Sequence, residues 1–203
     1  MSKLPTAEDV REFWLGDTTQ HAENLKAKQK LWFQKSFETD QAISERFLPL
    51  LPVLYDGLAD IWAIKSPHDR IAAIIVLDQF SRNLFRGSAM AFSHDARALR
   101  LSKDALELGE EKQLSEIERV FLYLPFEHSE AIEDQETSVR LFTELYDNAR
   151  PDYRVACKSF LDYAHAHKAV IDQFGRFPHR NEALKRKSTQ EELDYLSQPG
   201  SGF

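Results

Sequence analysis

The sequence predicts an all-α protein of about nine or ten helices, and two observations carry this prediction. Capping residues, prolines and glycines recur along the chain at intervals typical of helices. Stretches of alternating β-branched residues bounded by turns, which would indicate strands, are absent from it. A chain of 203 residues can bury one sizeable core, so we expect a single domain over residues 1–203.

Four helices are predicted in the first third of the chain. The first begins after Thr6, a good N-cap, and ends near Gly16. The second covers residues 20–36. A third is disturbed by Pro49, because proline removes a backbone donor and clashes with the preceding turn, and a shorter helix follows around Trp62.

A fifth helix is predicted to be the centre of the domain. Ser66 and Pro67 form a favourable N-cap and first-position pair, and the helix they open should run to Phe85 before Gly87 ends it. Its first half, "IAAIIVL" at residues 71–77, is apolar on every side. A helix of this kind is normally buried on all faces.

Three further helices are predicted in the middle of the chain. Ser93 should cap a helix that ends at Gly109, and a capping box at Ser115 should open the next one. We expect Pro125 to interrupt that helix and a new one to start within residues 126–130.

The last part of the chain is predicted to contain one long helix and one short one. The long helix should start at Pro151 and end at Phe174, before a glycine and a proline. The segment "RFPHRN" at residues 176–181 should then be extended, and Thr189 should cap the final helix.

Composition and charge exclude several classes of function. The chain has 26 Lys and Arg against 33 Asp and Glu, for a net charge of -7, which argues against a nucleic-acid binder. No apolar run approaches the roughly 18 residues of a membrane span, and the first residues lack the apolar core of a signal peptide. Cys157 is the only cysteine, so no internal disulfide is possible. We therefore expect a cytoplasmic protein.

The pattern Asp-Gln-Phe-x-Arg-x-x-x-Arg occurs twice, at residues 78–86 and 172–180, each time after an apolar run. With about 100° per residue, the polar side chains of the first copy share one sector at the end of the central helix. Asp78 can pair with Arg82 one turn away. Buried guanidinium groups need partners, and this pairing leaves Arg86 and part of the Arg82 fork open.

The second copy adds polar residues that we expect to project from a loop. Together the two copies would form a pocket with a positive local field, for which an anion is the natural ligand. The predicted ligand-binding residues are Asp78, Gln79, Arg82, Asn83, Arg86, Arg176, His179, Arg180 and Asn181. The alternative is a buried ion-pair lattice without a ligand. Four arginines against two motif aspartates favour the ligand, since a self-sufficient lattice would be nearer balance.

A second kind of site is suggested by "FEHSE" at residues 126–130. Carboxylates in the first turn of a helix are favoured by the helix dipole, which is one explanation of Glu130. The other makes His128 a general acid or base beside the arginine pocket, with Glu130 orienting it or balancing the guanidinium charge, so these two are the predicted catalytic residues.

The histidine–aspartate pairs at residues 68–69 and 94–95 are a possible metal-binding signal. Both pairs lie just after predicted helix starts, where aspartate is expected for capping reasons. We therefore predict no metal and no cofactor. His167 falls on the apolar face of its helix, which is typical of a core histidine.

Several motifs resemble those of one bacterial family. They are "LDQFSRNLFRG" at residues 77–87, "FLYLPFEHSE" at residues 121–130, "FGRFPHRN" at residues 174–181 and Ser-Thr-x-x-Glu at residues 188–192. The chain is identified by them as a member of the family known as domain of unknown function 924. The resemblance implies an all-helical fold similar to tetratricopeptide-like superhelices and no established activity.

The resemblance also marks positions in this chain. The matching positions are Asp78, Gln79, Arg82, Asn83, Arg86, Asp95, Pro125, His128, Ser129, Glu130, Gln135, Arg176, Pro178, His179, Arg180 and Asn181. One position departs from the family pattern, since Lys185 stands where glycine is expected. Lysine adopts a glycine-type backbone conformation only with strain, so the turn there is an open point.

Three functions remain open from the sequence. The first is a cytoplasmic protein that binds a small anionic molecule or an acidic peptide end in the Arg/His-rich pocket. The second is a hydrolase or transferase acting on a phosphorylated or carboxylated substrate, with His128 as acid or base. The third is a scaffold for a protein partner, with an exposed apolar groove and purely structural ion pairs. The oligomeric state does not follow from the sequence.

Overall fold

The structure is a computed structural model that describes residues 3–202, so residues 1, 2 and 203 of the predicted domain lie outside the described part. Residues 3–202 contain helices and no strands, which confirms the all-α class. When two helices that are joined by a π-helical segment are counted as one, residues 3–202 contain ten helices. This agrees with the predicted nine or ten. The tetratricopeptide-like arrangement stays an expectation.

The helices are named in chain order. They are α1 Ala7–Trp14, α2 Leu25–Phe33, α3 Phe37–Phe47, α4 Leu50–Val53, α5 Ala59–Lys65, α6 Pro67–Ile74, α7 Ser81–Leu84, α8 Asp95–Glu107, α9 Glu116–Glu127, α10 Ile132–Asp147, α11 Arg154–Phe174 and α12 Gln190–Leu196. The π-helical segment Leu54–Leu58 joins α4 to α5, and the π-helical segment Ile75–Phe80 joins α6 to α7. Short 3₁₀ turns connect several of the others.

The central helix is α6 with the π-helical segment and α7. The Ser66 side chain accepts a hydrogen bond from the Asp69 amide at its start, as predicted. Every residue from position 69 to position 81 is buried, because α1, α5, α8 and α9 all pack against α6. The apolar run therefore occupies the core position that its pattern predicts.

Aromatic rings fill the space around the central helix. Phe80 lies 5.2 Å from Trp14 and 5.0 Å from Phe47, measured between ring centroids. The ring of Phe121 is 6.1 Å from that of Trp14. A second, smaller cluster of buried apolar residues forms around Phe177 near the end of the chain. The C-terminal segment thus has apolar packing of its own.

Local capping signals in the sequence are present as predicted at three helix starts. Thr6, Ser115 and Thr189 each accept a hydrogen bond from the backbone three residues on, and each forms a reciprocal capping box. The predicted cap at Ser93 is wrong, because its hydroxyl donates to the Met90 carbonyl and α8 begins after His94.

Two predictions about α9 and the residues that follow it are wrong. Pro125 lies inside α9 and does not interrupt it, because the helix is almost entirely buried and its packing outweighs the missing backbone donor. No helix starts within residues 126–130. His128 instead caps the C-terminus of α9, Glu130 lies in the following loop, and α10 begins at Ile132.

The segment after α11 also differs from the prediction. Gly175 ends the helix with φ +66°, as expected of a left-handed C-cap. Residues Pro178–Arg180 then form a 3₁₀ turn, so the extended conformation predicted for them is wrong. Further on, Lys185 has φ +54°, so it adopts the left-handed conformation for which the family pattern has glycine.

Within residues 3–202, no single helix has the length and apolar character needed to cross a membrane. One bent pair, Phe37–Phe47 with Leu50–Lys65 at 57°, reaches that length and composition together.

Candidate functional site

The first motif copy places one aspartate at the centre of a buried polar cluster. Asp78 lies in the π-helical segment with 1% of its surface exposed. Its Oδ2 accepts a hydrogen bond from the amide of Gln79, and its Oδ1 lies 3.4 Å from Nη1 of Arg82. The predicted Asp78–Arg82 pair is therefore present. Burial alone would raise the pKa of Asp78, but the charges of Arg82 and His128 outweigh it and hold the pKa well below its usual range.

Arg82 is held on several sides by oxygen atoms. Nη1 and Nη2 donate to Oδ1 and Oδ2 of Asp95 at 2.8 and 3.0 Å, and Nη1 also donates to the Asp78 carbonyl at 2.9 Å. Burial would lower the pKa of Arg82, but the two carboxylates raise it above its ordinary value. The guanidinium therefore carries its charge at any physiological pH, and the fork faces a carboxylate of the chain itself.

The remaining residues of the first copy point to a different place. Asn83 and Arg86 both donate to Asp40 of α3, with distances of 2.8 Å from Asn83 Nδ2 and 2.7 Å from Arg86 Nε. A 36% exposed Arg86 side chain and its carboxylate partner form an ordinary surface pair. The structure thus separates these two predicted ligand-binding residues from Asp78 and Arg82.

His128 lies beside Asp78. Its Nδ1 is 2.8 Å from Asp78 Oδ1, and a carboxylate can only accept, so Nδ1 carries the proton that is donated. In the neutral ring Nε2 is then the basic nitrogen. Burial and the charge of Arg82 lower the pKa of His128 despite the attraction of Asp78.

The orienting residue of His128 is Asp78, and Glu130 takes a different part. The carboxylate of Glu130 accepts hydrogen bonds from both terminal nitrogens of Arg186, at 2.7 and 2.9 Å. It also accepts one from the backbone amide of Phe177, at 2.8 Å. It therefore fixes the loop after α11 to the loop before α10. Of the two roles predicted for Glu130, it therefore does not orient His128 but pairs with a guanidinium, that of Arg186.

Glu127 and His167 form a buried pair next to His128. Glu127 Oε1 lies 3.1 Å from His167 Nδ1, and both side chains are nearly inaccessible. Burial, helped by the charge of Asp78, raises the pKa of Glu127 to about 8. Burial, followed by the effect of His128, lowers the pKa of His167 to about 3. At neutral pH the pair is thus a carboxylic acid and a neutral imidazole, and His167 is the core histidine that was predicted.

Arg180 from the second motif copy reaches the same cluster. Its guanidinium carbon lies over two aromatic rings, 4.8 Å from the centroid of Phe92 and 4.5 Å from that of Phe177. Nη1 is 3.7 Å from Oδ2 of Asp95, too far for a hydrogen bond. Nε is buried and has no hydrogen-bond partner among residues 3–202. Burial and the charge of Arg82 lower the pKa of Arg180 to about 10, so it is still charged at neutral pH.

His179 precedes Arg180 and lies against the same aromatic ring. Its ring centroid is 5.6 Å from that of Phe177. Burial, and then the positive charge of Arg180, lower the pKa of His179 to about 4. The three histidines of the cluster, at positions 128, 167 and 179, are therefore neutral at pH 7 and add no positive charge.

The other residues of the second copy lie away from this cluster. Asp172 is 49% exposed on its side chain and pairs with Lys168. Arg176 donates to Glu192 of α12 from Nε and Nη2, at 2.6 and 2.8 Å, and Asn181 donates to the same carboxylate at 3.1 Å. The two copies of the motif are thus not equivalent, since only the first has a buried aspartate.

Sequence reasoning missed the partners that complete the cluster. Phe92 carries no local signal, Glu127 lies in the motif at residues 121–130 without a predicted partner, and Asp95 was considered as half of a possible metal-binding pair. Asp95 alone was marked, by the family resemblance. Gln135 was marked in the same way without a role, and its amide Nε2 donates to the carbonyls of Glu127 and Ser129, both at 2.7 Å. It thereby fixes the chain on both sides of His128.

The histidine–aspartate pairs have other partners. His68 lies 2.6 Å from Glu118, Asp69 pairs with Lys65, and Asp95 binds Arg82 as described. No group of three or more His, Cys, Asp or Glu side chains in the described residues is arranged to hold a metal ion.

Two surface cavities lie apart from the cluster. One of about 410 Å³ is lined by Lys3, Leu4, Pro5, Asp9, Arg46 and Phe47. The other, of about 350 Å³, lies between α5 and α8 and is lined by Asp60, Ala63, Ile64, Arg70, Arg100, Leu101, Asp104, Glu107 and Leu108. Neither contains a residue of the two motifs.

The fold and the cluster together define an all-helical protein with a buried, charge-paired Arg/His/carboxylate site at the end of its central helix. The chain belongs to the family described as bacterial protein of unknown function (DUF924), whose profile matches residues 10–200. It is also similar to the solved structure of a protein of unknown function from Agrobacterium tumefaciens, with 32% sequence identity and a TM-score of 0.79, covering 94% of this chain and 96% of that one. Among curated proteins, none matches.

Proposed function

We propose that the protein binds a small anionic molecule, or the acidic end of a peptide, at Arg180. The observation that carries this proposal is a charged guanidinium, 7% exposed, that has no hydrogen bond from its side chain among the described residues. A buried charge without hydrogen bonds is costly, and an anionic ligand would supply the missing acceptors. The buried Cys157, the only cysteine, fits the cytoplasm as the place of this function.

The other three predicted arginines are satisfied by the chain itself. Asp95 holds Arg82, Asp40 holds Arg86 and Glu192 holds Arg176. For these three the ion-pair alternative describes the contacts, and we assign them structural roles. Of the four predicted arginines, we therefore propose only Arg180 as the ligand-binding residue. Arg82 and His179 lie next to it.

The two aromatic rings support the proposal further. Phe92 and Phe177 pack against the buried Arg180 guanidinium, so little side-chain entropy remains to be lost when a ligand binds. Asp95 is near enough to attract the group but too far to occupy its donors. An incoming anion would therefore form hydrogen bonds without first breaking one.

The test is a binding screen with matched arginine variants. Inorganic phosphate, carboxylates and short acidic peptides are titrated into wild type, Arg180→Gln and Arg86→Gln, with thermal stability as the readout. A ligand at 100 times its Kd stabilises the folded state by about 2.7 kcal/mol. We expect wild type and Arg86→Gln to be stabilised and Arg180→Gln, shown by circular dichroism to be folded, to be unaffected.

Two results would contradict the proposal. One is that no anion stabilises the wild-type protein. The other is that folded Arg180→Gln and wild type respond equally, which would place the binding elsewhere. Should Arg180→Gln fail to fold, Arg180→Lys takes its place, because it keeps the charge and loses the planar fork.

A second candidate function is acid–base catalysis on the bound molecule, and the pair of Asp78 and His128 favours it. Asp78 fixes the tautomer that leaves Nε2 of His128 basic, which is the arrangement a general base needs. The check is hydrolysis of phosphate and carboxylate esters by wild type, His128→Gln and Arg86→Gln. Turnover by wild type and Arg86→Gln that is lost in His128→Gln, while anion binding persists, is the expected outcome. Equal turnover in all three would exclude the role.

A further inference from the structure

We propose that the anion bound at Arg180 is a singly charged carboxylate group, and that the site discriminates against doubly charged phosphate groups. This inference rests on the proposed function, since it names the class of ligand for the same site. Three features of the cluster carry it: the shape that Arg180 presents, the balance of charge around it, and the number of free donors.

The aromatic rings beside Arg180 affect how a ligand can reach it. Because Phe92 and Phe177 lie 4.8 and 4.5 Å from the guanidinium carbon, the two rings restrict the directions from which a ligand can approach the group. The edge of a guanidinium matches the two oxygens of a planar carboxylate in a two-point contact. A tetrahedral phosphate can use the same edge, but it directs its remaining oxygens out of that plane.

The balance of charge around Arg180 favours the ligand that carries fewer negative charges. Arg82 and Arg180 carry two positive charges, which Asp78 and Asp95 already match. The three neighbouring histidines are neutral at pH 7 because burial lowers their pKa values. Each further negative charge therefore meets the repulsion of the Asp95 carboxylate, which lies 3.7 Å from Arg180. A phosphate monoester, with nearly two charges at neutral pH, meets about twice that repulsion.

The supply of hydrogen-bond donors points in the same direction. Arg82 uses its Nη1 and Nη2 nitrogens on Asp95 and on the Asp78 carbonyl. Arg186, the next arginine in the C-terminal segment, uses its Nη1 and Nη2 nitrogens on Glu130. Among Arg82, Arg180 and Arg186, Arg180 is thus the one whose side chain makes no hydrogen bond within residues 3–202. The Arg180 guanidinium can donate hydrogen bonds to two ligand oxygens, whereas a phosphate group has three acceptor oxygens.

The experiment compares ligands that differ only in the anionic group. Benzoate and phenyl phosphate, and likewise acetate and methyl phosphate, are titrated at pH 7.5 into ¹⁵N-labelled wild-type protein. The readout is the Nε–H resonance of Arg180, assigned by its loss in Arg180→Gln. We expect each carboxylate to bind at least about tenfold more tightly than its phosphate partner, because of the extra charge facing Asp95. In Arg180→Lys, which keeps the charge but not the planar group and in which binding is followed by thermal stability, this preference should shrink.

The outcomes separate this inference from the proposed function. Phosphates that bind as tightly as, or more tightly than, their carboxylate partners would overturn the inference and leave anion binding at Arg180 standing. If neither class moves the Arg180 resonance, both proposals fail together. Benzamide, which has the same ring and no charge, is the control. Binding of benzamide equal to that of benzoate would show that the ring is recognised and would also overturn the inference.

Discussion

Arg82 of α7 donates two parallel hydrogen bonds to Asp95, the first residue of α8, at 2.8 and 3.0 Å. The same guanidinium lies 3.4 Å from Asp78, which is fully buried at the end of the core. Arg82 thus joins two helices and neutralises a carboxylate that cannot reach water. This makes it a structural residue first, although the motif it belongs to suggested a ligand.

Arg82→Ala is expected to lower the free energy of unfolding strongly. Removing one partner of a buried ion pair leaves an uncompensated charge, at a cost of about 3–5 kcal/mol. The matched variant is Arg86→Ala, whose half-exposed pair with Asp40 should contribute only about 0–1 kcal/mol. Urea denaturation of both variants measures the difference. Equal losses in the two would mean that the burial of Asp78 does not determine the effect.

Glu127 is expected to make stability depend on pH. Its pKa is raised from 4.5 to about 8 in the folded state, so the folded protein binds this proton more tightly than the unfolded chain does. The contribution is fully present below pH 4.5 and is lost as the pH rises through 8. The slope for one proton is at most about 1.4 kcal/mol per pH unit.

Urea denaturation at pH 6 and pH 9 tests this expectation. Wild type should be less stable at pH 9, and Glu127→Gln should lose most of that difference, because its amide stays neutral. Glu133→Gln, at an exposed position of α10, should behave as wild type does. A wild-type protein that is equally stable at both values would show that Glu127 is ionised in the folded state.

Gln135 is expected to be important for the position of His128. Its amide donates to the carbonyls of Glu127 and Ser129, which lie on either side of His128, and the residue is inaccessible to solvent. Gln135→Leu would leave those carbonyls without a partner, at a cost of about 1–3 kcal/mol. The backbone amide of His128 should also exchange its hydrogen faster. Gln190→Leu, at an exposed amide of α12, should change stability by less than about 0.5 kcal/mol.

Lys185→Gly is expected to stabilise the protein by about 1 kcal/mol. Lys185 has φ +54°, a conformation that costs a residue with a Cβ atom more than it costs glycine. The comparison is Lys187→Gly, where φ is not positive and glycine only adds freedom to the unfolded chain. Thermal unfolding should move in opposite directions for the two variants. A destabilised Lys185→Gly would show that the turn carries no strain.

The features that could be predicted from the sequence are those whose cause is local. A capping box such as Ser115 with Glu118 forms between residues three positions apart, so the sequence contains both partners. The burial of the central helix follows equally from its own apolar run. The pair of Asp78 and Arg82, four positions apart, belongs to the same class.

The features that could not be predicted depend on distant residues. Arg86 finds its partner 46 positions away at Asp40, and Arg176 finds Glu192 on another helix. Helical spacing gives no information about such pairs, so the count of four arginines against two motif aspartates overstated the free positive charge. Pro125 illustrates the same limit, because its local penalty is outweighed by the packing of α9.

The π-helical segment Ile75–Phe80 sets the rotational phase between the two halves of the central helix. The half before it is oriented by apolar packing, and the half after it by charge pairing. Deleting one residue from the segment would turn the second half by about 100° relative to the first. Asp78 would then face away from His128, with no side chain altered. A change of chain length here would therefore displace several side chains of the cluster at once, and the number of residues in this segment is itself a determinant of the geometry of the cluster.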